Sequence, residues 1–421
     1  MKRMLKSLTG ALLLCAVAGA TLFRIHAAGA AERHNLFAEA GYKPREISAK
    51  INGAFQQLFH GDPGTQAVYY PAGTNTNGAL AYIYDPGNQD VRSEGMSYGM
   101  MIAVQLNKKA EFDALWNWAR TFMYHASTNH PACGFFSWSM TTNGVANDEM
   151  PAPDGEEYFV TSLYFAAGRW GNGSGIYNYQ AEANRVLTDM RHRALITGPT
   201  ANGPKTVGAI FDSESKMVRF SPNFGNWNHT DPSYHLPAFY ELWARCGPKA
   251  DREFWVQAAA ASRDFFQHDA NAITGLTPDY ANFDGTPWTA PWNANSANFQ
   301  YDAWRTAMNW SVDWAWWNKD VRERQLSDRL QAFFESKGMT NYSDRFTLNG
   351  NPLNTDHSTG LVAMNAVAGL AATNPRAKQF VETLWNTPVP DGQWRYYNGL
   401  LYLMALLHCG GEFQVWMPQS N

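Results

Sequence analysis

Charge is scarce in this chain. Asp, Glu, Lys and Arg together make up 17% of it, below the usual quarter of about 25%. The 33 basic and 37 acidic residues are mixed throughout, so no basic stripe exists to track phosphates and nucleic acid is excluded as an expected partner. Cysteine is equally sparse. Of four, Cys15 lies in the apolar N-terminal segment, leaving Cys133, Cys246 and Cys409, an odd number that cannot be fully paired internally. No C-x-x-C or H-E-x-x-H occurs, so neither a disulfide framework nor a zinc site is expected. Between residues 38 and 418 no Pro-rich or Ser-rich linker interrupts the sequence, which reads as a single domain over 31–421.

Long apolar runs are missing too, with one exception. Lys2, Arg3 and Lys6 precede "LTGALLLCAVAGATLF", and "AGA" at 28–30 supplies small residues for cleavage, the pattern of a secretory signal over 1–30. Arg24 and His26 cut the run short of the roughly 20 apolar residues that a membrane span needs. The expected mature protein is therefore secreted or periplasmic, with no membrane attachment. On oligomeric state the sequence is silent.

What the chain has in plenty is aromatic surface: 17 Trp, 19 Tyr and 24 Phe. Apolar residues recur at three-to-four spacing between Gly, Pro and Asn, with few alternating runs. About twelve helices follow, from "REISAKINGAFQQLF" to "GLLYLMALLHC". Some, such as "SYGMMIAVQL" and "STGLVAMNAVAGLAAT", are apolar or small nearly all round, as enclosed helices are, whereas "AEFDALWNWARTFMY" keeps a polar face. Enclosed helices alternating with amphipathic ones predict two concentric rings: an all-α, (α/α)6 six-hairpin barrel. The strand candidates "AYIY" and "KMVRF" suggest only short β hairpins in the connecting loops. The longest irregular stretch, 277–302, carries Trp288, Trp292, Phe299 and Tyr301, and long loops in compact domains are usually functional.

The stretch "RSEGMSYGMM" (92–101) holds two incompatible catalytic patterns. Gly95-Met96-Ser97-Tyr98-Gly99 fits the G-x-S-x-G of a serine hydrolase, but that elbow needs a hydrophobic strand running into the serine, and "DPGNQDVRSE" supplies none. Glu94 is the other candidate. Glycoside hydrolysis takes one protonated carboxyl to supply a proton to the leaving oxygen and one ionised carboxylate to activate water or attack carbon. Asp302 in "FQYDAWRTAMNW" opens a helix with Arg305 one turn on, where it can hold the carboxylate ionised. Asp154 in "PAPDGEEYF" stands at a third loop-to-helix junction. Each has a plainer reading: a helix-start acid favoured by the macrodipole for Glu94, an N-cap with a routine ion pair for Asp302. Trp138, Tyr98, Tyr234, Trp292 and Tyr301 lie near these acids in sequence, and their flat rings suit the C–H faces of a pyranose.

Five blocks, "RSEGMSYGMMIAVQLNKKAEFDALWNWARTFMY", "PAPDGEEYFVTSLYFAAGRWG", "TDPSYHLPAFYELWA", "YDAWRTAMNWSVDWAWW" and "GQWRYYNGLLYLMALLHCGGEF", together resemble glycoside hydrolase family 8 across nearly all of the mature chain. The resemblance implies an α/α barrel that hydrolyses β-1,4-linked polysaccharides with inversion. It further implies Glu94 as general acid, Asp302 as general base, Asp154 as a sugar-binding group at the cleavage subsite, and Tyr234 and Arg305 as positioning groups. Inversion implies a carboxyl separation of roughly 6.5–9.5 Å, leaving room for water. The blocks look most like xylan-active members. "NPLNTDHSTGLVAMNA" is similar to the loop that, in reducing-end xylose-releasing exo-oligoxylanases, places a His against the reducing-end hydroxyl, here His357; an endo-acting β-1,4-xylanase or β-1,4-glucanase is the alternative. No metal or organic cofactor is implied, since two carboxyl groups suffice. A non-catalytic carbohydrate-binding barrel and a serine esterase are the rivals from other classes.

Overall fold

A computed structural model describes residues 34–418. The expected signal segment, 1–30, lies outside the described residues.

Six helices are enclosed almost completely: Ser93–Gln105, Pro153–Trp170, Pro237–Cys246, Ala303–Trp317, Thr359–Val367 and Arg395–Cys409. Each packs on the next, and the last returns to the first, which closes the ring. Six more helices form the outer layer: Pro44–His60, Lys109–Trp118, Tyr179–His192, Arg252–Asp269, Arg322–Lys337 and Ala377–Asn386. These lie against the inner helices pairwise. The result is an (α/α)6 barrel. A short helix, Leu36–Ala40, precedes it, and among the described residues no helix is long and apolar enough to cross a membrane.

The layering follows from composition. In Ser93–Gln105 every residue except Glu94 is buried, so a helix without a polar face has a partner on every side. Small residues let the inner helices come close. A Cβ on Gly155 would lie 2.5 Å from Ser93 Oγ, and one on Gly95 would lie 2.4 Å from the Tyr396 ring. Because inner and outer helices alternate along the chain, all six inner helices run the same way. Their N-termini therefore meet at one end of the barrel, where partial positive charge gathers.

The helix expected over 110–124 ends as a five-residue π turn, Ala119–Met123. "AYIY" falls largely in the strand Gly78–Ile83, paired antiparallel with Tyr69–Asn75. The "KMVRF" strand is corrected: only Val218 bridges, to Phe211. Local turn chemistry wins there, since Asp212 Oδ1 accepts the N–H groups of Glu214 and Ser215, and Lys216 takes a left-handed φ of 64°. Two further pairings, Val91–Arg92 with Ser139–Met140 and His229–Thr230 with Ala281–Asn282, tie loops together at the N-terminal end of the ring.

Candidate active site

That end of the barrel holds a cavity of about 1100 Å³. Its wall includes residues from the first turns of four inner helices: Glu94, Trp304, Thr359 and Tyr396. Arg305 lies behind this wall, 2% exposed. One of its terminal nitrogens donates to Glu94 Oε2 at 3.1 Å and to Asp154 Oδ2 at 2.7 Å, and the other donates to Asp302 Oδ1 at 2.8 Å. Three acids from three separate inner helices thus meet on a single guanidinium. No plain helix-start role accounts for that convergence.

Glu94 also accepts a hydrogen bond from the Tyr396 hydroxyl, 2.9 Å from Oε1. Burial pushes its carboxyl up to about 7, with Arg305 opposing and the charges of Asp154 and Asp302 reinforcing. Burial thus brings its proton release toward neutral pH. Asp154 is buried, takes the N–H of Gly155 at 2.9 Å, and is likewise raised by burial against the pull of Arg305.

Asp302 stands at the N-cap position of Ala303–Trp317, yet its side chain caps no helix N–H. The capping half of the plainer reading therefore fails while its ion pair is present: the carboxylate turns to Arg305 three residues on and keeps 30% of its side-chain surface. Tyr301, just before it, lies on the cavity wall with φ at 32°, in the left-handed region. Two further aspartates lie beside Asp302. Asp279 accepts the main-chain N–H of Asp302 at 3.1 Å and the Gln300 amide at 3.0 Å. Asp231, fully buried, caps the turn Pro232–Tyr234 through Ser233 N–H at 2.7 Å. Burial raises both of these carboxyls, and the charge of Asp302 adds to it.

The remaining expected residues divide between the cavity wall and the layer behind it. His357 lines the cavity, its Nδ1 2.8 Å from the carbonyl oxygen of Tyr342. Tyr98 is buried, its hydroxyl receiving a hydrogen bond from Arg305. Tyr234 is buried with its ring 5.9 Å from the guanidinium. Both sit behind the wall, bracing Arg305. Trp138 is half-buried with its ring 5.5 Å from the Arg92 guanidinium, and it is not among the residues lining the cavity. Trp292 is exposed on the loop that supplies Tyr280 and Asn293 to the wall. Ser97 is fully buried and spends its hydroxyl on the Glu94 carbonyl at 2.9 Å. It has no access to a substrate. Sequence reasoning missed Tyr396, Asp279 and Asp231. For Tyr396 a signal existed, since "WRYYNG" opens an enclosed helix as the acids do, but attention to carboxyls alone passed it over.

Two carboxyls bridged by one arginine at the mouth of a sugar-sized hollow, one of them raised by burial, have the chemistry of a glycoside hydrolase. The family follows from comparison: the chain belongs to the glycosyl hydrolases family 8, whose model matches residues 74–411. It is 42% identical over 384 residues to the reducing-end xylose-releasing exo-oligoxylanase Rex8A of Paenibacillus barcinonensis, covering 91% of this chain and 96% of that one. A solved xylanase from Teredinibacter turnerae, a catalytic mutant in complex with xylohexaose, superposes with a TM-score of 0.91 at 58% identity, covering 92% and 98% of the two chains. Endoglucanase C of Ruminiclostridium cellulolyticum is 26% identical over 332 residues, 77% of this chain and 65% of that one.

Proposed function

We propose that this enzyme hydrolyses β-1,4-xylosidic bonds with inversion, releasing xylose from the reducing end of xylo-oligosaccharides. Glu94 is the general acid, protonating the leaving oxygen; Asp302 is the general base, drawing a proton from the water that attacks the anomeric carbon on the opposite face. One displacement then inverts that centre. The observation that carries this reading is the shared guanidinium. Glu94 and Asp302 each touch a different nitrogen of Arg305, which sets an upper limit on their separation on the order of 8 Å. That limit admits the roughly 6.5–9.5 Å of inverting enzymes and equally the roughly 5–5.5 Å of retaining ones, so the choice of inversion rests on the family resemblance. The resemblance to Rex8A, covering 96% of that protein, supports the choice of xylo-oligosaccharide and of the reducing end. In the same reading Asp154 binds the sugar at the cleavage subsite, Tyr98 and Tyr234 hold Arg305 in place, and His357 meets the reducing-end hydroxyl from the loop ahead of Thr359–Val367.

Internal cleavage is the second reading, favoured by the higher identity to the Teredinibacter xylanase with its xylohexaose. Digestion of xylohexaose separates the two. Xylose and xylopentaose as first products, with the label retained on xylose when the reducing end is labelled, support the exo reading. Early xylobiose, xylotriose and xylotetraose support the endo one. Proton NMR of the first turnover checks the stereochemistry: the new reducing end must appear as the α anomer, and a β anomer ends the inverting assignment.

Export belongs to the same proposal, resting on the charged start, apolar run and small-residue site of residues 1–30. N-terminal sequencing of the protein recovered from the periplasm or medium should begin near residue 31.

A further inference from the structure

The presentation of Asp302 depends on a strained turn. Tyr301 adopts φ 32° without being glycine, a strained conformation that persists only where neighbours over-determine it. Asp279 supplies that constraint. Its Oδ1 accepts the main-chain N–H of Asp302 at 3.1 Å, and its Oδ2 accepts the side-chain amide of Gln300 at 3.0 Å. The two oxygens of one carboxyl therefore grip the residues on either side of the strained one. The Tyr397 hydroxyl fixes the peptide between them, donating to the Tyr301 carbonyl at 3.0 Å.

The main chain shares in this, with the Ala303 N–H on the Gln300 carbonyl at 2.9 Å and the Trp304 N–H on the Tyr301 carbonyl at 3.2 Å, but among the described residues no other side chain bonds to both Gln300 and Asp302. The Asp302 side chain caps no helix N–H, and the hydrogen bonds of Asp231 go to its own turn. Asp279 is 2% exposed, too enclosed to be explained as a solubilising surface acid. A carboxyl is also the side chain with two acceptor oxygens and the short reach this clamp needs, whereas an amide offers one oxygen and turns a donor toward the other partner.

We propose that Asp279 is a positioning residue for the general base: by clamping Gln300 and Asp302 across Tyr301 it aims the Asp302 carboxylate at the attacking water. The inference rests on the reading of Asp302 as base. Misplacement of a catalytic group by about 1 Å costs on the order of 100-fold in rate, and that is the effect expected when the clamp is removed.

The test is steady-state kinetics on xylohexaose for Asp279→Ala, Asp279→Asn, Gln300→Ala and Asp302→Ala, each with and without sodium azide. Azide attacks the anomeric carbon in place of water and needs no base. The C–N bond forms as the C–O bond breaks, Glu94 protonates the leaving oxygen, and the product is an α-glycosyl azide. Asp302→Ala should lose nearly all hydrolysis and regain turnover in azide. Asp279→Ala should lose about 100-fold in kcat with KM within about twofold, and regain turnover in azide as well. Asp279→Asn, with one acceptor left, should fall between it and the wild type, and Gln300→Ala should show a smaller loss. The clamp is refuted if Asp279→Ala keeps near-native kcat, or if its KM rises in step and azide restores nothing, as collapse of the cleft predicts. Undiminished hydrolysis by Asp302→Ala would sink the base assignment itself, a separate and recognisable failure.

Discussion

Tyr396 donates its hydroxyl hydrogen to Glu94 Oε1 across 2.9 Å, although 302 residues separate the two in the chain. The contact is possible because Gly95, the residue after Glu94, has no Cβ: one placed there would come within 2.4 Å of the Tyr396 ring. The "EGMSYG" glycine that invites comparison with a nucleophile elbow is thus the space in which the acid's tyrosine sits. Gly95→Ala should displace that ring and break the hydrogen bond, lowering kcat on xylo-oligosaccharides with little loss of helix content. Circular dichroism beside kinetics checks both halves, and unchanged kcat would show that the tyrosine is idle.

Removal of the acid should depend on the leaving group. Glu94→Gln should reduce hydrolysis of xylohexaose by about 10²–10⁴-fold, the range typical of general acid catalysis. β-Xylobiosyl fluoride, whose fluoride leaves without a proton, should lose far less. Equal losses on both substrates would remove Glu94 from the acid role.

The pH profile carries a sign. As the proposed general acid Glu94 must be protonated to act, and burial pushes its carboxyl up to about 7, so kcat/KM should fall as pH rises through that value. Asp154 pushes Glu94 upward, hence Asp154→Asn should move this alkaline limb to lower pH. A limb that stays put or moves upward contradicts the electrostatics.

Stability should follow the same group. The folded protein holds the Glu94 proton more tightly than the unfolded chain, so this contribution is complete below about 4.5 and is lost as pH rises through about 7. Glu94→Gln should therefore melt higher than the wild type at pH 8, with the gap closing toward pH 5. Differential scanning calorimetry at the two pH values decides it.

Arg305 should be costly to lose. It is 2% exposed and joins Glu94, Asp154 and Asp302, and removing one partner of a buried ion pair costs about 3–5 kcal/mol because the other is left uncompensated. Arg305→Met should lower the melting temperature and abolish activity, whereas Ser97→Ala, which removes only a bond to a backbone carbonyl, should leave turnover near wild type. An inactive Ser97→Ala would reopen the serine reading.

The two rings were legible because layering is written in which helices lack a polar face. "SYGMMIAVQL" has none, "AEFDALWNWARTFMY" has one, and they occupy the inner and outer layers accordingly. The convergence of Glu94, Asp154 and Asp302 has a related origin: acids that open enclosed helices share the N-terminal end of the ring. What stayed hidden depends on rotation and reach. Helix starts alone place Tyr98 and Tyr234 near the acids but not behind Arg305, and nothing in the "WSM" context of Trp138 reveals that its ring faces Arg92. Asp279 carries no signal of its own in the 277–302 loop, because its meaning lies in two hydrogen bonds to a turn twenty-odd residues on.

The ring closes where the final inner helix, Arg395–Cys409, settles against the first, Ser93–Gln105, and that seam is also where Tyr396 reaches Glu94. During synthesis Glu94 leaves the ribosome long before its phenolic neighbour is made. An incomplete polypeptide therefore carries Glu94, Asp154 and Asp302 while the wall supplied by Asp391 and Tyr396 arrives only with the last hairpin.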